Sequence, residues 1–276
     1  MREFTAAFLQ VLIALGVGGV ATMALVPWSE MARGFFRSTA AVYVAVQAFV
    51  LYWLIQPWLR GMPGFLLSWP GIETLLLAGA FVASVGYAVA VWTTSDSFRR
   101  GTWTVVATAG GLGLLIEVLR PRGTTFGVWE VAILGLNTLL SGFLVGVVTT
   151  AMLFGHYYLN EPRMDVRPIR RIAIIFLVAT AVQGLLPLAN AGALYGVGTP
   201  ALAERVTAAF SAWGGLLLMR YLFGIVATLV VAGVIWNTLA IPNVQSATGF
   251  FYIAILTILV GEFLGRVLVL RTHLPF

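Results

Sequence analysis

The chain has 276 residues, of which 60% are hydrophobic and only 9% charged, and its mean hydropathy is +0.98. Soluble domains are about 45–50% apolar and about 25% charged, so this composition excludes an aqueous globular fold and indicates an integral membrane protein. The net charge of +6 comes from short loops between apolar runs. It therefore indicates membrane topology and argues against a nucleic-acid interface.

Runs of about twenty apolar residues predict transmembrane helices. Taken in chain order, they place eight helices at residues 5–27, 38–58, 72–93, 102–119, 128–158, 172–196, 209–238 and 247–270. We interpret the first run as a span rather than a cleaved leader, because it lacks the short apolar region of a signal peptide. The runs are continuous rather than alternating, which excludes a β-barrel pattern. The predicted class is an all-α bundle.

Tryptophan marks the ends of these runs independently. Eight of the nine tryptophans fall at or close to a predicted terminus, as an interfacial aromatic belt requires: Trp28, Trp58, Trp69, Trp92, Trp103, Trp129, Trp213 and Trp236.

The two halves of the chain resemble each other in the same order. The matched segments are Gly19–Ala24 with Gly146–Ala151, Ala45–Gln47 with Ala181–Gln183, Val91–Thr94 with Ile235–Thr238, and Glu117–Arg120 with Glu262–Arg266. Their offset rises slowly from 127 to 145. The pattern predicts one membrane domain built from two tandem four-helix repeats, residues 1–125 and 126–276. Because four helices return the chain to its starting side, the repeats would be parallel, with their axis along the membrane normal.

Eight helices place both termini on one side of the membrane, which we call side A; the opposite side is side B. Six arginines fall in the side A loops, namely Arg2, Arg60, Arg120, Arg122, Arg205 and Arg271. Eight fall in the side B loops, namely Arg33, Arg37, Arg99, Arg100, Arg163, Arg167, Arg170 and Arg171. The excess predicts that side B faces the cytoplasm of a bacterial-type cytoplasmic membrane and that the termini are non-cytoplasmic.

The residues present limit the chemistry of the chain. It has no Cys and two His, so we expect no iron–sulfur ligation, no Cys-based zinc site and no bis-His dihaem, and we predict no metal site. Sixteen arginines and no lysine exclude a lysine nucleophile. Phosphate-binding loops and the sequence motifs of zinc proteases and esterases are missing as well.

Three ionisable residues fall inside the predicted helices 7 and 8. Arg220 lies seven residues beyond Trp213, and Glu262 lies nine residues before Arg271, so both reach about 10 Å or more into the bundle from side A. Arg266, one turn after Glu262, gives the carboxylate a second partner. The group is either a structural clamp between the two helices or a site for a substrate, a quinone or protons.

Other candidates are less deeply placed. Glu117 matches Glu262 in the predicted repeat, whereas Glu73 and Glu130 open helices and are favoured there by the helix dipole alone. On side B, His156 and Tyr157 end helix 5. They form either part of the aromatic belt or a pair that hydrogen-bonds a quinone carbonyl and exchanges a proton.

Eight helices in two tandem four-helix bundles, without cofactor ligands, resemble the quinone-reactive membrane anchor subunits of polysulfide, nitrite and dimethyl-sulfoxide reductase-type complexes. The resemblance is one of architecture over the whole chain. It implies a subunit that binds quinol and passes electrons to a partner subunit. The quinone-binding candidates are then Arg220, Glu262, Arg266, Glu117, His156 and Tyr157. The alternatives are a small-solute or ion transporter that uses the repeats for alternating access, and a structural or assembly subunit. In each case the lipid bilayer is the first partner.

Overall fold

The computed structural model describes residues 2–29, 31–93, 95–119, 128–159, 164–196, 200–241, 243–272 and 274. These residues are almost entirely helical and contain no strand, so the predicted all-α class is confirmed. The first six long helices, α1 to α6, are Arg2–Thr22, Arg33–Leu54, Trp69–Thr93, Asp96–Leu119, Val128–Tyr158 and Arg167–Gly196. Helix α7 runs through Pro200–Tyr221, a π-helical segment Leu222–Ala227 and Thr228–Ala240, and α8 is Val244–Thr272.

Within the described residues, seven of these helices are long and apolar enough to cross a membrane, with mean hydropathies from 1.4 to 2.3. The protein is therefore a polytopic membrane protein. Helix α4, which is not among the seven, has 24 residues and packs along α3 and α1. Its role as an eighth span stays a prediction.

Most helices begin a few residues earlier than predicted, and in several of them the added first turns carry charged residues. Helix α4 begins at Asp96 rather than at residue 102, and an Asp96–Arg99 ion pair stabilises its first turn. Helix α6 begins at Arg167 and continues through Pro187. Long arginine side chains extend to the interface from within a helix, so a charge near the end of an apolar run does not terminate the helix.

Helix contacts fix which ends lie together. Glu3 in α1 forms an ion pair with Arg271 in α8. The N-terminal end of α1 and the C-terminal end of α8 therefore lie on the same side, as predicted. Helices α1 and α5 run in the same direction and are in backbone contact at glycines. A Cβ at Gly18 would lie 1.8 Å from the carbonyl oxygen of Gly142. Helix α5 therefore ends, and α6 begins, on side B.

The buried interior differs between the two halves of the bundle. All the large fully buried aromatic side chains lie towards side B: Tyr43, Tyr87, Phe35, Phe36, Phe154, Phe176 and Phe251. Buried polar groups there are hydroxyls, such as those of Tyr43, Thr22 and Thr150, which bond one another. The charged and amide side chains buried in the described part of the chain lie towards side A: Gln47, Glu73, Asn137, Gln183, Asn190, Arg220, Glu262 and Arg266.

The predicted duplication stays a prediction. The segments matched first, Gly19–Ala24 and Gly146–Ala151, do lie in α1 and α5, which pack against each other. Gln47 and Gln183 have different partners: Gln47 donates to the carbonyl oxygen of Gly16 at 2.8 Å, whereas Gln183 faces Glu262.

Candidate functional site

Four helices meet at Glu262. The carboxylate oxygen Oε1 accepts hydrogen bonds from Arg220 Nη2 of α7 at 2.9 Å and from Gln183 Nε2 of α6 at 3.5 Å. The other oxygen, Oε2, accepts a bond from the hydroxyl of Ser141 in α5. Arg266 donates from Nη2 to the same Ser141 oxygen at 3.2 Å. We call these five side chains the Glu262 network.

The network is buried. Arg220 is 2% exposed and Glu262 is 3% exposed, so the predicted contact between these two residues inside the side A half of the bundle is confirmed. An ion without a partner in such a place costs several kcal/mol, and a hydrogen-bonded pair costs much less. The Glu262 carboxylate therefore has one cationic partner, Arg220, and two neutral hydrogen-bond donors, Ser141 and Gln183.

Three glycines make room for the Arg220 side chain. A Cβ at Gly224, on the π-helical segment of α7, would lie 2.4 Å from Arg220 Nη1, and one at Gly261 of α8 would lie 2.9 Å from it. A Cβ at Gly265 would lie 2.9 Å from Arg220 Nε. Gly261 and Gly265 form a small-xxx-small pair, which allows close helix approach in membranes. The guanidinium thus lies in a slot that only glycine leaves open.

The π-helical segment begins two residues after Arg220. Such single-turn insertions change the hydrogen-bond register of a helix and occur frequently at functional sites. Here the Thr228 hydroxyl closes the segment: it lies 3.2 Å from the carbonyl oxygen of Phe223, five residues earlier, and 2.8 Å from the hydroxyl of Thr257. The insertion therefore determines how the first part of α7, which carries Arg220, is rotated about the helix axis relative to the second part, Thr228–Ala240.

A small polar cavity adjoins the network. It measures about 10 Å³ and is lined by Asn137, Thr138, Ser141, Arg220, Glu262 and Arg266 together with apolar residues, which is the lower limit for one water molecule. Among the described residues, Arg220 Nη1 and Asn137 Oδ1 are buried without a hydrogen-bond partner. Buried polar atoms are nearly always bonded, so these two atoms are candidates for contact with water or a ligand.

A larger recess lies on the lipid-facing flank of the same turn of α8. We call it the α1–α8 groove; it measures about 360 Å³ and is lined by Phe8, Val11, Leu12, Leu259, Val260, Phe263 and Leu264. All seven side chains are apolar, so the groove fits a hydrocarbon or isoprenoid chain. Glu262 lies on the same turn of α8 as the groove residues Val260 and Phe263, but its side chain faces the bundle interior.

The remaining predicted site residues lie elsewhere. His156 is exposed near side B, and its Nδ1 lies 3.4 Å from the hydroxyl of Tyr252. Tyr157 packs instead on Phe35, with ring centroids 5.8 Å apart. The structure does not bring these two residues to the network or to one shared site, and their binding role stays a prediction. The side chain of Glu117 lies outside the described residues.

Sequence reasoning missed two members of the network. Ser141 gave no signal, because a serine in an apolar helix is common and nothing marks the face that it occupies. Gln183 appeared only as part of a repeat match. The spacing of Gly261 and Gly265 was a usable signal for close helix packing next to Glu262.

Comparison of the chain with protein-family models, with curated proteins and with solved structures found no match.

Proposed function

We propose that this protein is a quinone-reactive membrane subunit of an electron-transfer complex, in which the Glu262 network exchanges protons between a membrane quinone and side A. The electrons pass to a redox centre of a partner subunit, because this sequence supplies few ligands for one of its own.

The observation that carries the proposal is the one-sided distribution of buried polar groups. The described charged and amide side chains of the interior lie between side A and the middle of the bundle. Beyond them, Phe154, Phe176 and Phe251 are each fully buried and belong to one continuous apolar core. A proton route that ends in mid-membrane suits a proton acceptor or donor that arrives through the lipid.

The α1–α8 groove suits the apolar part of such a molecule. Quinones carry long isoprenoid tails, and the groove offers a volume of about 360 Å³ with apolar walls on the same turn of α8 that carries Glu262. The cavity inside the network, at about 10 Å³, is too small for a quinone ring. In this proposal the ring therefore stays on the groove flank of α8, and only protons pass to Glu262.

A quinol that is oxidised to a quinone loses two electrons and two protons; the electrons go to the partner subunit and the protons go to side A through Glu262. Reduction runs in the opposite direction. In this proposal Glu262 relays one proton at a time, and Arg220 lowers the cost of the buried carboxylate once the proton has left.

The orientation is part of the proposal. Arginines are more numerous in the predicted side B loops than in those of side A, and an excess of arginine marks the cytoplasmic side. Side A, and with it the proton exchange, then faces the non-cytoplasmic side of a bacterial-type membrane.

Photolabelling tests the proposed quinone site. The protein is reconstituted in lipid nanodiscs, irradiated with an azido-quinone and mapped by peptide mass spectrometry. We expect label on the α8 segment 256–266 and on α1 near Leu12, and we expect excess unmodified quinone to displace it. Leu264→Trp, which fills the groove, should abolish the label. Val230→Trp places the same side chain on an exposed site of α7 and should leave the label intact.

Two results would contradict the quinone proposal. One is labelling that excess quinone does not displace. The other is equal labelling of the Leu264→Trp and Val230→Trp variants, because then the probe reports only contact with lipid-facing surface.

A transporter is the second candidate, and the π-helical segment Leu222–Ala227 favours it, since discontinuous helices beside buried charges form the sites of many transporters. The corresponding helix of the first predicted repeat, α3, is continuous over Trp69–Thr93. Uptake of protons, other ions and small solutes by liposomes that contain the purified chain alone, without quinone, separates the two functions: a transporter takes up at least one of them and the proposed subunit takes up none.

A further inference from the structure

A polar seam runs from Glu262 towards side A between α5 and α8. Besides Arg220 of α7, the cavity beside the Glu262 network is lined on α5 by Leu134, Asn137, Thr138 and Ser141 and on α8 by Glu262, Gly265, Arg266 and Val269. Each row covers about two turns of its helix, or about 10 Å. We call these two rows the α5–α8 seam. In both rows the residue nearest to side A, Leu134 or Val269, is apolar.

Asn137 brings a buried oxygen without a partner into this seam. Its side chain is 6% exposed, and its Oδ1 accepts no hydrogen bond from the described residues. Buried polar atoms are nearly always bonded, to water if not to protein. Asn137 lies one turn before Ser141 on the same face of α5, and Ser141 donates to the Glu262 carboxylate. The unpartnered oxygen therefore lies next to the network, on its side A flank.

The cavity has room for one small molecule. Its volume of about 10 Å³ is the lower limit for a single water molecule, which needs two to four polar partners when it is buried. Asn137 and the other polar groups of the lining can supply them. Two arginines are among the lining residues, and their positive charge disfavours a metal cation. Water is the occupant that fits both the volume and the charge.

We propose that the α5–α8 seam binds a water molecule on Asn137 and is the route by which protons pass between Glu262 and side A. The water donates a hydrogen bond to Asn137 Oδ1. A proton that leaves the Glu262 carboxyl adds to this water, which releases a different proton towards side A and is left neutral. Asn137 is a positioning residue, since its amide neither gains nor loses a proton. The bound water stands independently, whereas the route rests on the proposed function.

Radiolytic footprinting tests the bound water in the wild-type protein. X-rays split water, bound water included, into hydroxyl radicals that oxidise adjacent side chains, and a scavenger in the buffer suppresses radicals from bulk water. Leu134 and Leu144 are both buried in α5, at 3% and 0% exposure, but Leu134 lines the seam and Leu144 lies in the apolar core. Peptide mass spectrometry of protein irradiated in nanodiscs should find Leu134 oxidised several-fold faster than Leu144. Equal rates would mean a dry seam and would overturn the proposal.

Two variants separate the bound water from bulk water that reaches Leu134 from side A. Asn137→Leu removes the amide and fills the cavity with an apolar side chain, so it should lower the oxidation rate of Leu134 to that of Leu144. Asn190→Leu makes the same change at a buried asparagine of α6, 4% exposed, that does not line the cavity, and it should leave the rate unchanged. Tryptophan fluorescence checks that both variants are folded. An unchanged Leu134 rate in folded Asn137→Leu would overturn the bound water; if that variant does not fold, the wild-type comparison still decides.

Proton release by the proposed complex tests the route. With added quinol, Asn137→Leu should lower the rate of release on side A about tenfold, which corresponds to one lost hydrogen bond, while azido-quinone labelling persists. Asn190→Leu should match the wild type. If Glu262→Gln slows the release and Asn137→Leu does not, the seam is not the route, although the proposed function holds. If neither variant slows it, the proposed function fails together with the route.

Discussion

Removing one member of the Arg220–Glu262 pair should destabilise the protein more than removing both. Glu262→Leu leaves the Arg220 guanidinium buried without its carboxylate, and Arg220→Met leaves the carboxylate without its cation. Breaking a buried pair in this way costs about 3–5 kcal/mol, whereas replacing both partners by apolar residues is neutral or stabilising. Each single substitution should therefore lower the unfolding temperature by about 10 °C, and the double substitution should restore most of the loss.

The surface pair Glu3–Arg271 provides the control. Its side chains are 45% and 36% exposed, compared with 4% and 3% for Glu262 and Arg220, and exposed pairs contribute about 0–1 kcal/mol. Glu3→Gln should therefore change the unfolding temperature little. The nine tryptophans allow unfolding to be followed by intrinsic fluorescence in detergent.

Stability and activity together separate a clamp from a functional site. If the pair only joins α7 to α8, the Arg220→Met/Glu262→Leu protein should regain both stability and the activity of its native complex. We predict that it regains stability and stays inactive. A single substitution as mild as Glu3→Gln, or a double variant no more stable than the less stable single variant, would contradict the cost assigned to an unpaired buried charge.

Three other predictions test the surroundings of the site. Gly261→Ala should lower the unfolding temperature by several degrees, because overpacking costs about 1–3 kcal/mol and its Cβ would meet Gly224 and Arg220, whereas Gly249→Ala meets open space and should not. Cysteines introduced at Arg2 and Arg167 should be labelled from opposite sides in sealed cells, with no background thiol; labelling from the same side would contradict the topology. Thr150→Val should cost about 1–3 kcal/mol, measured by the same fluorescence assay, because it removes the partner of the buried hydroxyls of Tyr43 and Thr22.

The sequence predicted the parts of this structure that depend on depth. Hydropathy located the helices, and counting residues from Trp213 and from Arg271 placed Arg220 and Glu262 at the same level. Their contact followed, because two opposite charges at one depth of adjacent helices are each too costly to leave alone.

The parts that depend on helix rotation were not predictable. A helix that is apolar on all faces carries no amphipathic signal for the face that meets the core. Nothing in the sequence therefore indicated that Ser141 and Gln183 face Glu262. The π-helical segment was equally invisible, because Leu222–Ala227 has an ordinary apolar composition.

Proton release by the native complex tests the central proposal most directly. The proposed complex is purified from the native membrane with the subunits that accompany the chain and is reconstituted in vesicles, and a pH-sensitive dye on side A reports protons as added quinol is oxidised. The wild type should release protons on side A, and Glu262→Gln should lower the rate about a hundredfold, as expected for loss of a proton-transfer group, while azido-quinone labelling persists. Glu262→Gln turnover at the wild-type rate, with protons still released on side A, would contradict the role given to Glu262.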